Sequence, residues 1–274
     1  MKNDILFRNI NNEYSEEIKI ASKYFNIIKH RSECKPNRLI IGRYSVLPYY
    51  KEVEDEINYN KSILINDYRD HKYIANFEWY QDVEKYTFKT WDDTNFFSAP
   101  EGKYVVKGVT NSCKFHWDTK MFAKNKKQAI EIAHKLSSDS LIGQQKIIYR
   151  QYCQLKTFEE GVNKLPFTNE WRFFFYKKKM LSYGYYWSIA EKTDYNIEDE
   201  CITFAQKIAN IISENTNFFV LDIAQAKTGE WKLVEINDGQ MSGLSENHPN
   251  TLYGNLKKAL QEEEKKALYG EEKK

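Results

Sequence analysis

The stretch "FFVLDIAQAKTGEWKLVEIND", Phe218 to Asp238, decides the fold. Two apolar runs flank Thr228-Gly229, so the segment is predicted to be a β-hairpin turning on that pair. With a two-residue loop, Lys227 faces Glu230 and Asp222 faces Glu235. Side chains alternate along a strand, so Glu235 and Asn237 share one face and Asp222 joins them from its neighbour. Two opposed carboxylates on an apolar hairpin repel each other and are costly to desolvate. A hard divalent cation relieves both problems, and two carboxylates with an amide form an oxygen set suited to Mg²⁺. The competing reading leaves one carboxylate facing solvent at a sheet edge. A longer loop would shift the register and break the pairing.

Upstream, "EWRFFFYKKKMLSYGYYW" reads as a second hairpin, turning at Lys177 to Lys179. On its first strand Glu170, Arg172 and Phe174 share one face, while Trp171, Phe173 and Phe175 take the other. Apolar residues on both sides imply a buried strand, so Arg172 needs an anion: either Glu170 or a phosphate, which a guanidinium grips bidentately. Arg150 in "IIYRQY" raises the same question. The string Tyr183 to Trp187 is either sheet packing or a substrate platform. Between the hairpins, "ECITFAQKIANIISENT" is a helix.

Further back, Tyr104 to Val106 form a strand that ends at Lys107-Gly108. The loop "GVTNSCKFHW" then supplies backbone donors, hydroxyls and an ammonium, the groups that phosphate oxygens require. It is not a Walker A motif. Ala129, Ile132, Ala133 and Leu136 keep helical spacing in "NKKQAIEIAHKLSS", and "KIIYRQYCQL" is a strand running into a connection. In the first segment, Ser15, Glu17, Ile18, Ala21, Phe25 and Ile28 suggest a capped amphipathic helix. Short strands at Leu39–Ile41 and Ile63–Ile65 flank the helical "KEVEDEI", suggesting a small α/β unit, and "DHKYIANFEWYQDVEKYT" again has helical spacing. The tail "LKKALQEEEKKALYGEEKK" reads as an exposed charged helix or a frayed end.

Composition narrows the class. A chain of 274 residues allows one large domain or a few packed subdomains, and 41% hydrophobic residues exclude wholesale disorder. A net charge of +2 does not indicate a strongly basic nucleic-acid surface, and leaves only local patches open. Apolar runs fall far short of the roughly 18 residues a membrane span needs. "MKNDILFRNINNEY" has no apolar secretory core, so a cytoplasmic location is the default. The four cysteines, at 34, 113, 153 and 201, lack metal-ligand spacing and read as free thiols.

The motif order resembles the ATP-grasp superfamily: a strand ending in Lys, a polar loop, a helix, a strand into a hinge, E-x-R on a strand, then Asp and Glu-x-Asn on a hairpin. "VVKG" resembles the strand whose lysine meets nucleotide phosphates, "YRQYCQL" the hinge beside adenine, and "VLDIAQAKTGEWKLVEIND" the paired strands that hold magnesium. "GRYSVLPYY", "HKYIANFEWY", "KGVTNSCKFHW" and "MFA" resemble segments of bacterial and phage members that use arginines alongside lysine. The likeness covers roughly residues 38 to 244.

The resemblance implies an α+β ATP-grasp fold, with two α+β subdomains gripping ATP behind a small α/β N-terminal unit. The implied divisions are 1–95 for that unit, 96–155 and 156–256 for the two subdomains, and 257–274 for a charged tail. It also implies an ATP- and Mg²⁺-dependent ligase that joins a carboxylate to an amine through an acylphosphate. The acceptor would be a small molecule, an amino acid, a peptide or a protein; apolar run length and net charge, not the resemblance, point away from a membrane or nucleic-acid partner. A kinase on the same scaffold, or a nucleotide-binding protein without turnover, is the alternative. Carried over, Lys107 binds α/β-phosphate oxygens, Arg172 the γ-phosphate, and Asp222, Glu235 and Asn237 the metal. Gln151, Tyr152 and Cys153 meet the adenine edge and Leu155 flanks the purine. The usual glycine-rich lid is replaced by "TNSCKFHW", where Lys114 and Trp117 are candidate lid residues. The second family lysine has no clear counterpart; Lys146 or Arg150 could substitute. Arg43 could bind a substrate carboxylate or pair with Glu52, Glu54 or Asp55. Asp238, Gln240 and Ser242 are candidates for acceptor contacts.

Overall fold

The structure, a computed structural model, describes residues 2–8, 16–140, 142–161 and 164–271. The expected helix cap Ser15 lies outside these described residues.

The first sheet is parallel, in the order β2-β1-β3-β4, from β1 (Lys2–Leu6), β2 (Asn26–Ile28), β3 (Arg38–Gly42) and β4 (Ile63–Ile65). Strand β1 escaped the sequence reading because only Ile5 and Leu6 of "KNDIL" are apolar. Helix α1 covers just Glu16–Ala21. The helical spacing that runs on to Ile28 is coincidental: the chain turns at Ser22–Phe25, and Ile28 sits in β2 opposite Leu6. Helix α2 (Tyr50–Tyr59) buries Tyr50, Val53 and Ile57 against Leu6, Ile40 and Leu64. The next helical stretch divides into α3 (Tyr68–Ala75) and α4 (Trp79–Val83), since Phe77 between them takes a left-handed conformation, φ 65°.

A second, antiparallel sheet has the order β5-β8-β6-β7, from β5 (Thr90–Asp92), β6 (Tyr104–Gly108), β7 (Phe122–Ala123) and β8 (Ile147–Gln151). Helix α5 (Lys126–Ser137) packs on it through Ala129, Ile132, Ala133 and Leu136, the four residues its spacing predicts. A small hairpin of β9 (Thr157–Glu160) and β10 (Pro166–Thr168) follows.

The third sheet is antiparallel, in the order β12-β11-β13-β14, from β11 (Glu170–Tyr176), β12 (Lys179–Tyr185), β13 (Phe218–Gln225) and β14 (Trp231–Asp238). Trp171, Phe173 and Phe175 face α4 and α6 (Asp199–Ile212) on one side. Phe174 and Tyr176 face the other side, where they join α7 (Pro249–Glu271) and Ile5, Ile41 and Ile65 of the parallel sheet. Here the tail departs from expectation. It is helical, but Leu256, Ala259 and Leu260 are buried in the core, and Glu262 and Glu263 pair with Lys179 and Lys177. Only its outer face is the charged surface the composition suggests. Among the described residues no helix is long and apolar enough to cross a membrane.

Candidate functional site

The β13–β14 hairpin reaches the expected pairing by a different route. Ala226 NH bonds to Glu230 O at 2.7 Å, so the loop has three residues, Lys227 to Gly229, with Gly229 left-handed at φ 99°. Near the turn the register is therefore shifted by one, with Ile223 opposite Leu233. A β-bulge at Val234 then inserts one residue and returns Asp222 to Glu235. Without the bulge, one carboxylate would lie on the opposite face.

The two carboxylates are kept apart by separate cations. Arg172, directly across from Asp222 in the β11–β13 register, holds it through two hydrogen bonds of 2.8 Å. Its remaining Nη1 donates to Gly243 O at 2.9 Å. The partner of Arg172 is thus Asp222, not Glu170. Lys107 forms a buried ion pair with Glu235. Asn237 donates through Nδ2 to Asp222 at 3.3 Å, which leaves its amide oxygen outside that bond. Among the described residues no group of three or more His, Cys, Asp or Glu side chains converges on a metal position. The set is two carboxylates and an amide.

Between the second and third sheets lies a cleft of about 360 Å³. Lys107, Lys114, Arg150, Glu170 and Glu235 line it; Asp222, bonded to Arg172 and Asn237, lies opposite Glu235 in the β13–β14 register. The cleft carries an excess of positive charge. Burial depresses the pKa of Lys107, and Arg150 and Lys114 push it the same way against Glu235. Burial also lowers that of Arg150, whose Nε has no hydrogen-bond partner. Burial works to raise Glu235, but Lys107, Lys114 and Arg150 outweigh it and hold the carboxyl below its ordinary range. Glu170 goes the other way: burial, with help from Asp222 and against Lys114, pushes it up to about 7. Its own hydrogen bond comes from the Thr168 hydroxyl, at 3.0 Å. Three desolvated cations, one of them with an orphaned guanidinium donor, thus share the cleft with Glu235, which pairs with Lys107, and with Glu170, whose raised pKa weakens its charge. A polyphosphate fits that donor set.

At the far end, Gln151 to Leu155 also line the cleft. Tyr152 NH bonds to Lys103 O at 2.9 Å, just before β6, while Gln154 O accepts from Lys227 NH at 2.8 Å, in the β13–β14 loop. The segment is therefore a hinge tied at both ends. Lys146, the other candidate for the second lysine, pairs with Asp92 at 3.4 Å and is half exposed. Arg150 alone of the two reaches the cleft.

The family model described as "ATP-grasp domain, R2K clade family 3" matches residues 78–256. The chain belongs to the ATP-grasp family. No curated protein matches it. Solved ATP-grasp structures share its fold. A RimK domain protein ATP-grasp from Sphaerobacter thermophilus DSM 20745 superposes with TM-score 0.56 at 9% identity, covering 92% of this chain and 98% of its own. The ATP-grasp ligase PsnB, complexed with precursor peptide PsnA2 and AMPPNP, gives 0.56 at 9%, covering 93% and 96%. D-cycloserine synthetase DcsG gives 0.58 at 10%, covering 95% and 100%.

In this ATP-grasp chain the candidate acceptor residues lie elsewhere than expected. Arg43 is buried and pairs with Glu17 at 2.7 Å, not with Glu52, Glu54 or Asp55; it also donates to Ser242 O at 3.0 Å and to Gly239 O. Asp238 accepts from Asn66 at 3.1 Å and from Gln240 NH at 3.0 Å, and meets His71 at 3.2 Å. Gln240, with its amide turned to satisfy both ends, bonds Ile65 O and Asn66 NH, and Ser242 donates to Asp238 O at 2.8 Å. All four are buried, so the structure gives them to the junction between the parallel sheet and the third sheet rather than to an open pocket.

Residues beyond the expected set also meet the cleft of the ATP-grasp domain. Thr168, Trp187 and Val234 line it with Glu170. Glu170 was legible from E-x-R, which puts it on the face of Arg172. Thr168 was not, because the short strand β10 carries no periodic signal. Within the aromatic string, Tyr185 packs in the core while Tyr186 and Trp187 approach Lys114.

Proposed function

We infer that the protein is an ATP- and Mg²⁺-dependent ligase that joins a carboxylate to an amine. One observation carries the nucleotide part of the reading: Lys107, Lys114 and Arg150 converge on one end of a cleft whose other end is the hinge, and Arg150 keeps a buried donor without an acceptor. Lys107 and Arg150 would neutralise phosphate oxygens, and Lys114 would close over them from the loop. Asp222, Glu235 and Asn237 would hold the metal, with Arg172 fixing Asp222 in place. Gln151, Tyr152 and Cys153 would meet the base through backbone groups, and Leu155 would flank it. Bound MgATP supplies the phosphoryl group that turns the substrate carboxylate into an acylphosphate open to attack by an amine. The chain's own contribution is alignment and charge neutralisation in a site shielded from water.

The acceptor is an amino acid or a peptide. The neighbours support this: PsnB is a ligase complexed with a precursor peptide, and DcsG is a D-cycloserine synthetase. The test begins with melting temperature in millimolar MgATP, which should rise because a ligand that binds only the native state adds RT ln(1 + [L]/Kd). No rise would sink the nucleotide assignment. A screen for ADP release against amino acids and short peptides then identifies the acceptor. Recovery of a stable phosphoester in place of an amide would make the enzyme a kinase.

A further inference from the structure

Lys114 crosses the cleft from the loop between β6 and β7 and ends in an aromatic corner on the opposite side. Its Nζ donates to the Tyr186 hydroxyl and lies 4.1 Å from the centre of that ring. The Trp187 ring is 5.4 Å away. On the same Tyr186 ring rests the guanidinium of Arg172, 4.8 Å from its centre. One phenol thus takes a cation from each side of the cleft. The Arg172 cation is already locked to Asp222.

Tyr186 is well placed to act as a fixed post. Its NH bonds to Glu170 O at 3.0 Å, extending the β11–β12 pairing past the end of β12. Trp187 packs edge-on against it at 5.0 Å and donates from Nε1 to Thr168 Oγ1 at 3.2 Å. The loop that carries Lys114 is anchored at its base, where Gln145 accepts from Thr110 NH at 3.1 Å and donates to Asn111 Oδ1 at 2.6 Å. The base is therefore held by the turn before β8, and Lys114 by the residue that follows β12. Burial works against the Lys114 charge, but the Tyr186 oxygen and the carboxylates of Glu170 and Glu235 outweigh it and raise the pKa. The lysine stays charged where it sits.

We propose that Tyr186 is a positioning residue that holds Lys114 over the phosphate end of the cleft. A lysine on a free loop must freeze several side-chain torsions when it grips a ligand, which weakens binding. The hydroxyl and the ring faces of this corner freeze them beforehand, through a charged hydrogen bond and cation–π attraction. The role rests on the nucleotide reading above and concerns the triphosphate, not the base.

Equilibrium titrations of the full chain with MgAMP-PNP and with AMP test it, using Tyr186→Phe, Tyr186→Leu and Lys114→Met. Tyr186→Leu should weaken MgAMP-PNP binding by about 5- to 10-fold, and Tyr186→Phe, which keeps the ring, by about threefold. AMP binding should stay within about twofold of wild type in both, as expected for an effect confined to the phosphate end. In a Lys114→Met background Tyr186→Leu should add nothing further. Equal losses for both nucleotides, or an undiminished loss without Lys114, would overturn the role. If Tyr186→Leu does not fold, the milder Tyr186→Phe and its combination with Lys114→Met decide the same question. Wild-type protein that binds neither nucleotide would instead overturn the reading on which the role rests.

Discussion

Arg172 and Asp222 face each other across β11 and β13, joined by parallel hydrogen bonds of 2.8 Å from Nε and Nη2 to the two carboxylate oxygens. Both residues are buried. Removing one partner of such a pair strands the other charge, so Arg172→Met should cost about 3–5 kcal/mol in urea unfolding. Replacing both, as Arg172→Met with Asp222→Leu, should recover most of that loss. A single-variant cost under about 1 kcal/mol, typical of an exposed pair, would contradict the geometry.

Glu170 gives the protein a pH signature. Its carboxyl is pushed from the ordinary 4.5 up to about 7. Between those values the native state keeps a proton that the unfolded chain has released, so stability is full below about pH 4.5, falls as pH rises, and levels off above about 7. Each unit is worth about 1.4 kcal/mol, so the wild type should lose roughly 3 kcal/mol across this window through Glu170. Glu170→Gln lacks that slope. Urea melts of both proteins at pH 5 and pH 8 should show the variant gaining on the wild type at pH 8. Parallel behaviour would mean that Glu170 titrates as an ordinary carboxyl.

Glu235 pairs with Lys107, and in the proposed reaction it would instead hold Mg²⁺ with the nucleotide. Glu235→Gln keeps an oxygen for the Lys107 ammonium and removes the charge a hard cation prefers. The fold should survive with a melting temperature a few degrees lower. Nucleotide affinity should lose most of its dependence on Mg²⁺, measured as the ratio of Kd with and without the metal. A ratio like that of wild type would remove Glu235 from the metal site.

The hairpin loop depends on one glycine. Gly229 sits at φ 99°, where a β-carbon would touch nothing within 4 Å. The penalty for a side chain is therefore conformational rather than steric. Gly229→Ala should cost about 1 kcal/mol, and Gly229→Asn less, because asparagine tolerates the left-handed region better. Equal costs for the two would point to a clash that the structure does not contain.

The same hairpin shows how far the sequence carried. A two-residue loop and the actual three-residue loop both set Asp222 opposite Glu235, because the third loop residue and the bulge at Val234 offset each other. Pattern alone reveals neither, since each moves the register by one and the sum is unchanged. Long periodic elements such as α5 and the β11–β12 pair were legible because one strong signal defines them. Residues whose roles rest on distant partners were not. Arg43 meets Glu17 and the backbone after β14, and Tyr186 meets Lys114, contacts that no local window contains.

The C-terminal helix is the clearest case of a charged sequence with a buried stripe, and it yields the last test. Leu256 and Leu260 lie one turn apart and join Leu252, Tyr253 and Ala259 against Phe174, Tyr176 and Leu181 of the third sheet. Long lysines and glutamates occupy the outer face, which lowers the average hydropathy without weakening the stripe. Leu256→Ala should therefore cost about 2–5 kcal/mol, the range for a buried leucine that leaves a cavity. Truncation after Asn255 removes Leu256, Ala259 and Leu260 together and exposes the sheet face they cover, so it should abolish cooperative unfolding or drive the protein into aggregates. Truncation after Lys266 keeps all three and should leave urea stability within about 1 kcal/mol of wild type, as surface changes generally do. If both truncations behaved alike, the helix would be an appendage and not part of the core.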